Sequence, residues 1–213
     1  MRHLNDPDLS PPLTNPFAPG TSPYRQKGNA FIGDFAYFEK CIPGGVPALL
    51  RSISDDATRT FLSQKFIASE WYDVFPNLMM QVAAARLRGM SFEEHRRHVG
   101  TYHAEALSGV YRALLRIVSN ENVATWGPRI SALYWDFGKM ETRVAGPREI
   151  TGIRRGTPKP LLQFIAWAST GFVETTLRIA GARDAMMVMD DVETEGRVAG
   201  VEICSFKLRI TWS

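Results

Sequence analysis

"GVEICSFKLRITW", residues 200–212, alternates in character along its length. Cys204, Phe206, Leu208, Ile210 and Trp212 fall on one side of an extended chain. Glu202, Ser205, Lys207, Arg209 and Thr211 are largely on the other. A period of two marks a strand with one covered face. Just upstream, "ARDAMMVMD" (182–190) supplies a partner strand, and the two read as a hairpin. Before them, "LLQFIAWASTGFVETTLRIAG" (161–181) is a helix with a wide apolar face, preceded by Pro158 and Pro160 and closed by Gly181. Further back, "KMETRVAG" (139–146) and "REITGIRR" (148–155) read as two more strands, broken at Ala145-Gly146-Pro147 and charged on one side.

The first half is helical by the same criteria. "FIGDFAYFEKC" begins at Phe31 and breaks at "IPGG". "VPALLRSIS" and "DDATRTFLSQKF" follow as short helices, with Ser54 or Asp55 capping the second. A helix begins near Pro76, carries Leu78, Met79, Val82, Ala83 and Leu87, and ends at Gly89. "SFEE" (91–94) is a capping box. It opens a long helix to about Val118 with Phe92, Val99, Ala106, Val110, Leu114 and Ile117 on one face. Gly100 and Gly109 are costly in a helix and point to close approach of another element, to a ligand or to a break. The fold class is α+β: a helical N-terminal half followed by a four-stranded antiparallel sheet, built as two hairpin-like pairs separated by a helix and packed against helices.

Residues 1–29 hold Pro7, Pro11, Pro12, Pro16, Pro19 and Pro23 among few aliphatics, and are expected to form a disordered tail before one α+β domain over 30–213. With 213 residues and 45% apolar content the chain can bury a sizeable core. A net charge of +3, spread along the chain, is too weak to argue for nucleic acid. No stretch is long and apolar enough for a membrane span, and no secretory signal is visible, so a cytoplasmic location is expected. Cys41 and Cys204 stand far apart with no C-x-x-C pair, which excludes a cysteine-built zinc site and suits a reducing compartment.

Three of the four histidines lie in "EEHRRHVGTYH", residues 93–103. A zinc protease needs H-E-x-x-H; "HRRH" places two arginines there instead, beside which a cation is unfavourable. No metal is therefore expected. His95 and His103 fall on or inside the apolar helix face, with His98 on its flank; His103 is an axial heme ligand or, more ordinarily, a core histidine bonded to a carbonyl. No G-x-S-x-G elbow and no phosphate loop are present. The carboxylate pairs Asp55-Asp56 and Asp190-Asp191 suit caps and turns.

"SEWYDVFPNLMMQVAAARLRGMSFEEHRRHVG", "FGKMETRV", "GTPKPLLQFIAWASTGFVETTLRIAGA" and "CSFKLRITW" together resemble a paralogous family of myxobacterial proteins over about residues 31–212. That family has proline after the E-W-Y tyrosine; here Asp73 takes the place and Pro76 comes later. The second half also resembles the 4-vinyl-reductase, heme-NO-binding and TRAPP superfamily, through the helix ending in glycine and the C-x-F of Cys204-Ser205-Phe206. The zinc branch of that superfamily needs several cysteines, and the heme branch a proximal histidine with Y-x-S-x-R; neither set is present. What the resemblance implies is a fold and a sensor or scaffold role.

The expectation is a non-catalytic cytoplasmic sensor or regulatory domain without cofactor. It would bind a small apolar ligand between the long helix and the sheet, lined by His103, Tyr102, Trp71, Tyr72 and Trp167. A homodimer or a protein partner is expected; nucleic acid and membrane are not. The alternatives are a dimeric scaffold with no ligand and an enzyme of unrecognised type.

Overall fold

The structure, a computed structural model, describes residues 2–106, 122 and 126–213. In the helical half, α1 spans Gly28–Cys41, α2 Gly45–Ser52, α3 Asp56–Leu62, α4 Phe75–Leu87 and α5 Phe92–Glu105. Strands β1 (Arg25–Lys27) and β2 (Trp71–Asp73) pair antiparallel beside them. After α6 (Gly127–Tyr134) come β3 (Lys139–Gly146), β4 (Glu149–Pro158), α7 (Leu162–Ile179), β5 (Met186–Val198) and β6 (Val201–Thr211). The four long strands form one antiparallel sheet in the order β3-β4-β6-β5, so β5 is an edge. The α+β class, the helical first half and both hairpins stand as expected from sequence.

The alternation of β6 sets the sheet's covered face. Cys204, Phe206, Leu208, Ile210 and Trp212 are buried there with Met187 and Met189 of β5, against Leu162, Ala166 and Trp167 of α7. Each such large apolar side chain contributes about 1.5–3 kcal/mol. A two-residue turn with positive φ at Ala199 and Gly200 joins β5 to β6, the geometry that matches strand twist. Strand β5 runs on past the expected 182–190, to Val198, with irregular register around Asp190–Gly196. Its continuation, "DVETEGRV", is mostly exposed, with Val192 buried in the sheet core and Asp191, Thr194 and Glu195 bonded to Lys207, Glu202 and the Gly156 amide.

The caps follow local chemistry. Asp55 accepts from the Thr58 amide at 3.0 Å, and Ser91 from the Glu94 amide at 3.1 Å. Helix α5 is described only to Glu105. The expected continuation to Val118, with Gly109, Val110, Leu114 and Ile117, lies outside the described residues. Gly100 meets another element, as expected of a glycine there: a Cβ on it would lie 2.0 Å from the Ala168 carbonyl oxygen of α7. Gly171 of α7 faces α5 the same way, 2.1 Å from the Arg97 oxygen. The two helices therefore touch backbone to backbone, tying the helical half to the sheet half.

The Pro-rich N-terminus differs from the disordered tail expected of it. Leu4 and Leu9 are buried in the sheet core, and Tyr24 in a cluster joining α4 to α7. Arg2 makes a β-bridge to Val192, and Gln163 donates to the Leu4 carbonyl at 2.8 Å. Composition discounted these few apolar anchors because prolines separate them.

Candidate functional site: a buried polar centre

Helix geometry forces an acid into the core. Phe31, Asp34 and Phe38 recur at spacings that share one face of α1, and all three are buried. On α4, Asn77 and Gln81 are one turn apart and fully buried. On α5, His95 and Arg96 are buried, while the His103 side chain is 26% exposed. These side chains form a chain through the helical half. Asn77 Nδ2 donates to Asp34 Oδ2 at 2.8 Å and to Gln26 Oε1 at 2.9 Å. Gln81 Nε2 donates to Asn77 Oδ1 at 3.3 Å. His95 Nε2 lies 2.8 Å from Gln81 Oε1, and Arg88 reaches His95 Nδ1 at 3.4 Å and the Tyr37 hydroxyl.

The partners assign the His95 tautomer. Gln81 Oε1 can only accept and Arg88 can only donate, so Nε2 carries the proton and Nδ1 accepts. The ring is neutral. Burial, then the Arg96 and Arg88 cations, push its pKa down to about 3. Asp34 is the opposite case. Burial alone would raise its pKa, but His103, Arg96 and the Asn77 hydrogen bond outweigh burial and hold it below the usual carboxylate value.

One part of this centre is incompletely bonded. His103 Nε2 lies 3.3 Å from Asp34 Oδ1, an ion-pair contact; neither atom makes a hydrogen bond. Arg96 donates from Nε to the Phe164 carbonyl at 3.1 Å and stacks over that ring at 4.0 Å. Its Nη1 is buried with no hydrogen-bond partner. Burial pulls the Arg96 pKa down to about 10, so it stays a cation at neutral pH. A buried carboxylate and a buried guanidinium thus act on one another, with no ion pair between them among the described residues. Buried polar groups without hydrogen-bond partners cost free energy.

The sequence-picked residues do not form one pocket. His103 lies on Gly33 and Asp34 of α1. Tyr102 packs on Tyr37 at 5.2 Å, and Tyr72 on Phe66 at 4.8 Å and Phe31 at 5.9 Å, so both join the helical core. Trp71 of β2 is half-buried, with the Lys27 ammonium over its ring. Trp167 belongs to the sheet core, on the floor of a different cavity of about 430 Å³ beside β5. Asp34, Asn77, Gln81 and Arg96 were missed. The signal available for the first was an acid placed on the apolar face of α1.

Solved structures identify the architecture. The chain has an H-NOX-like fold. An H-NOX mutant carrying 4-cyano-L-phenylalanine at site 5 superposes with a TM-score of 0.63 at 12% identity, over 88% of this chain and 96% of its own. The Fe(II) unliganded H-NOX protein from K. algicida gives 0.62 at 13% identity, over 88% and 96%. An oxygen-binding H-NOX domain related to soluble guanylate cyclases gives 0.58 at 12%, over 87% and 92%. At such identities the likeness is one of fold. No family model matches the chain, and no curated protein matches it in sequence. The myxobacterial resemblance therefore rests on its quoted motifs.

Two further solved structures of this fold concern heme, and the donors present here do not fit a histidine-bound heme. All four histidines are described. His95 uses both ring nitrogens, His3 Nδ1 is bonded to Asp190 at 2.7 Å, and His98 is exposed on the outer side of α5. His103 directs Nε2 at the Asp34 carboxylate. Among the described residues no three His, Cys, Asp or Glu side chains converge as a metal site, and no helix is long and apolar enough to cross a membrane.

Proposed function

We propose that the protein is a non-catalytic sensor domain whose signal is a small molecule bound at the Asp34–Arg96–His103 centre. The observation that carries this reading is the pair of opposite buried charges with Asp34 Oδ1 and Arg96 Nη1 left without hydrogen-bond partners. The complementary occupant has a donor for the carboxylate and an acceptor for the guanidinium, so it is a compact dipolar molecule such as a primary amide. The apolar ligand expected from sequence suits the polar lining less well. The H-NOX-like fold supports the sensor role, because one of its neighbours is an oxygen-binding domain. Partly exposed His103 offers the way in, and the α5–α7 backbone contact offers the way out to the sheet. Both cysteines are unpaired, in keeping with a reducing, cytoplasmic setting.

An enzyme reading draws on the shifted His95, but that ring has no free nitrogen to act as a base. Cys204 is buried, and burial pushes its thiol pKa up, away from reactivity.

The test is a titration of the full chain with acetamide, followed by NMR of the His103 ring and the Asn77 side-chain amide. Both signals shift saturably, and Asp34→Asn weakens binding by about tenfold as a charged acceptor becomes neutral. Signals that stay unmoved, with an exchangeable internal water at the centre, would remove the dipolar ligand.

A further inference from the structure

The edge strand β5 is open along one short run. Met187 N donates to Glu174 Oε1 at 3.0 Å, and Val192 N to the Arg2 carbonyl at 3.1 Å, so both amides point away from β6. In an antiparallel ladder alternate residues face the same way. Met189, two residues after Met187, therefore turns its N–H and C=O outward as well. The cavity of about 430 Å³ lies along this run, with Leu4, Trp167, Met187 and Met189 in its wall. Met186 and Val188 beside it are 52% and 42% exposed. At one end of the run the chain's own N-terminus already sits on the edge as an antiparallel bridge, with His3 bonded to Asp190 at 2.7 Å.

We propose that this edge of β5 is a docking site for an extended segment of a partner protein. The segment adds antiparallel to β5 at Met187–Met189, in continuity with the Arg2 bridge. It places one apolar side chain in the Trp167 cavity and a basic residue against Asp190, displacing His3. Backbone pairing gives affinity, and the cavity and the carboxylate give selectivity. Uncovered edges are otherwise blunted, and here Glu174 and Arg2 blunt only the flanks.

The probe is the capped peptide Ac-VKVKVK-NH2, titrated into the isotope-labelled full chain. Amide shifts centred on residues 186–190 are expected, with the Met189 amide exchanging fast in the free protein and protected by the peptide. Met189→Pro removes the outward N–H without touching the β6 ladder, and abolishes binding. Should that variant fail to fold, Asp190→Lys serves: it weakens the lysine peptide by about tenfold and favours Ac-VEVEVE-NH2. Shifts mapping to Lys207 and Arg209 on the sheet face would overturn the proposal. So would unchanged affinity in both variants, or concentration-dependent Met189 protection without peptide, which would make a second copy the occupant.

Discussion

Replacing His95 by glutamine separates the neutral buried histidine from an ordinary one. The free ring titrates near 6.5 and the buried one at about 3, because burial and then Arg96 and Arg88 oppose its charge. A depressed folded pKa contributes stability that is whole above pH 6.5 and is lost as pH falls toward 3. Each pH unit in that window costs about 1.4 kcal/mol, so moving from pH 7 to 5 removes about 2 kcal/mol through this residue alone. His95→Gln loses hydrogen bonds and is less stable at pH 7, but it carries no such penalty. Urea unfolding of both proteins at pH 7 and 5 measures the difference. At an m-value of about 2–3 kcal/mol/M, the wild-type midpoint should fall by about 0.7–1 M more than the variant's. Parallel loss in the two proteins would refute both the neutral tautomer and the sealed polar chain.

Three further outcomes follow from the geometry. Asp34→Asn should flatten the acid limb below about pH 4 in urea unfolding, since a depressed carboxylate pKa gives stability that is lost as pH falls through it. Gly171→Ala forces a Cβ to within 2.1 Å of the Arg97 carbonyl, and the overpacking of about 1–3 kcal/mol should exceed the roughly 1 kcal/mol of helix propensity gained; thermal unfolding reads the sign. Arg154, 1% exposed, bonds Ser131, the Phe137 carbonyl and Thr157 from the inner face of β4. Arg154→Ala leaves them unmatched and should cost about 3 kcal/mol in chemical denaturation, loosening the connection from α6 to β3.

The elements were legible where one residue's surroundings decide its state. The period of β6, the Ser91 and Asp55 caps and the glycine after α7 needed no knowledge of the tertiary fold. The polar centre was not legible as a unit, because Gln26, Asp34, Asn77, Gln81 and His95 come from four separate elements, and only the tertiary packing brings them together. Trp167 and Tyr102 were grouped as liners by residue type alone. The register that places α7 against the sheet puts one in the sheet core and the other in the helical core. Leu4 and Leu9 escaped notice because two anchors among prolines change composition little, yet they hold the N-terminus down.

The most direct measurement is native against denaturing mass spectrometry of the freshly purified 213-residue chain, with a visible absorption spectrum before and after incubation with hemin. The account predicts no Soret band in either spectrum. It also predicts a small added mass in the native protein that is lost on denaturation and reduced in Asp34→Asn. A Soret band that disappears in His103→Ala would contradict it, and would make this a heme domain after all.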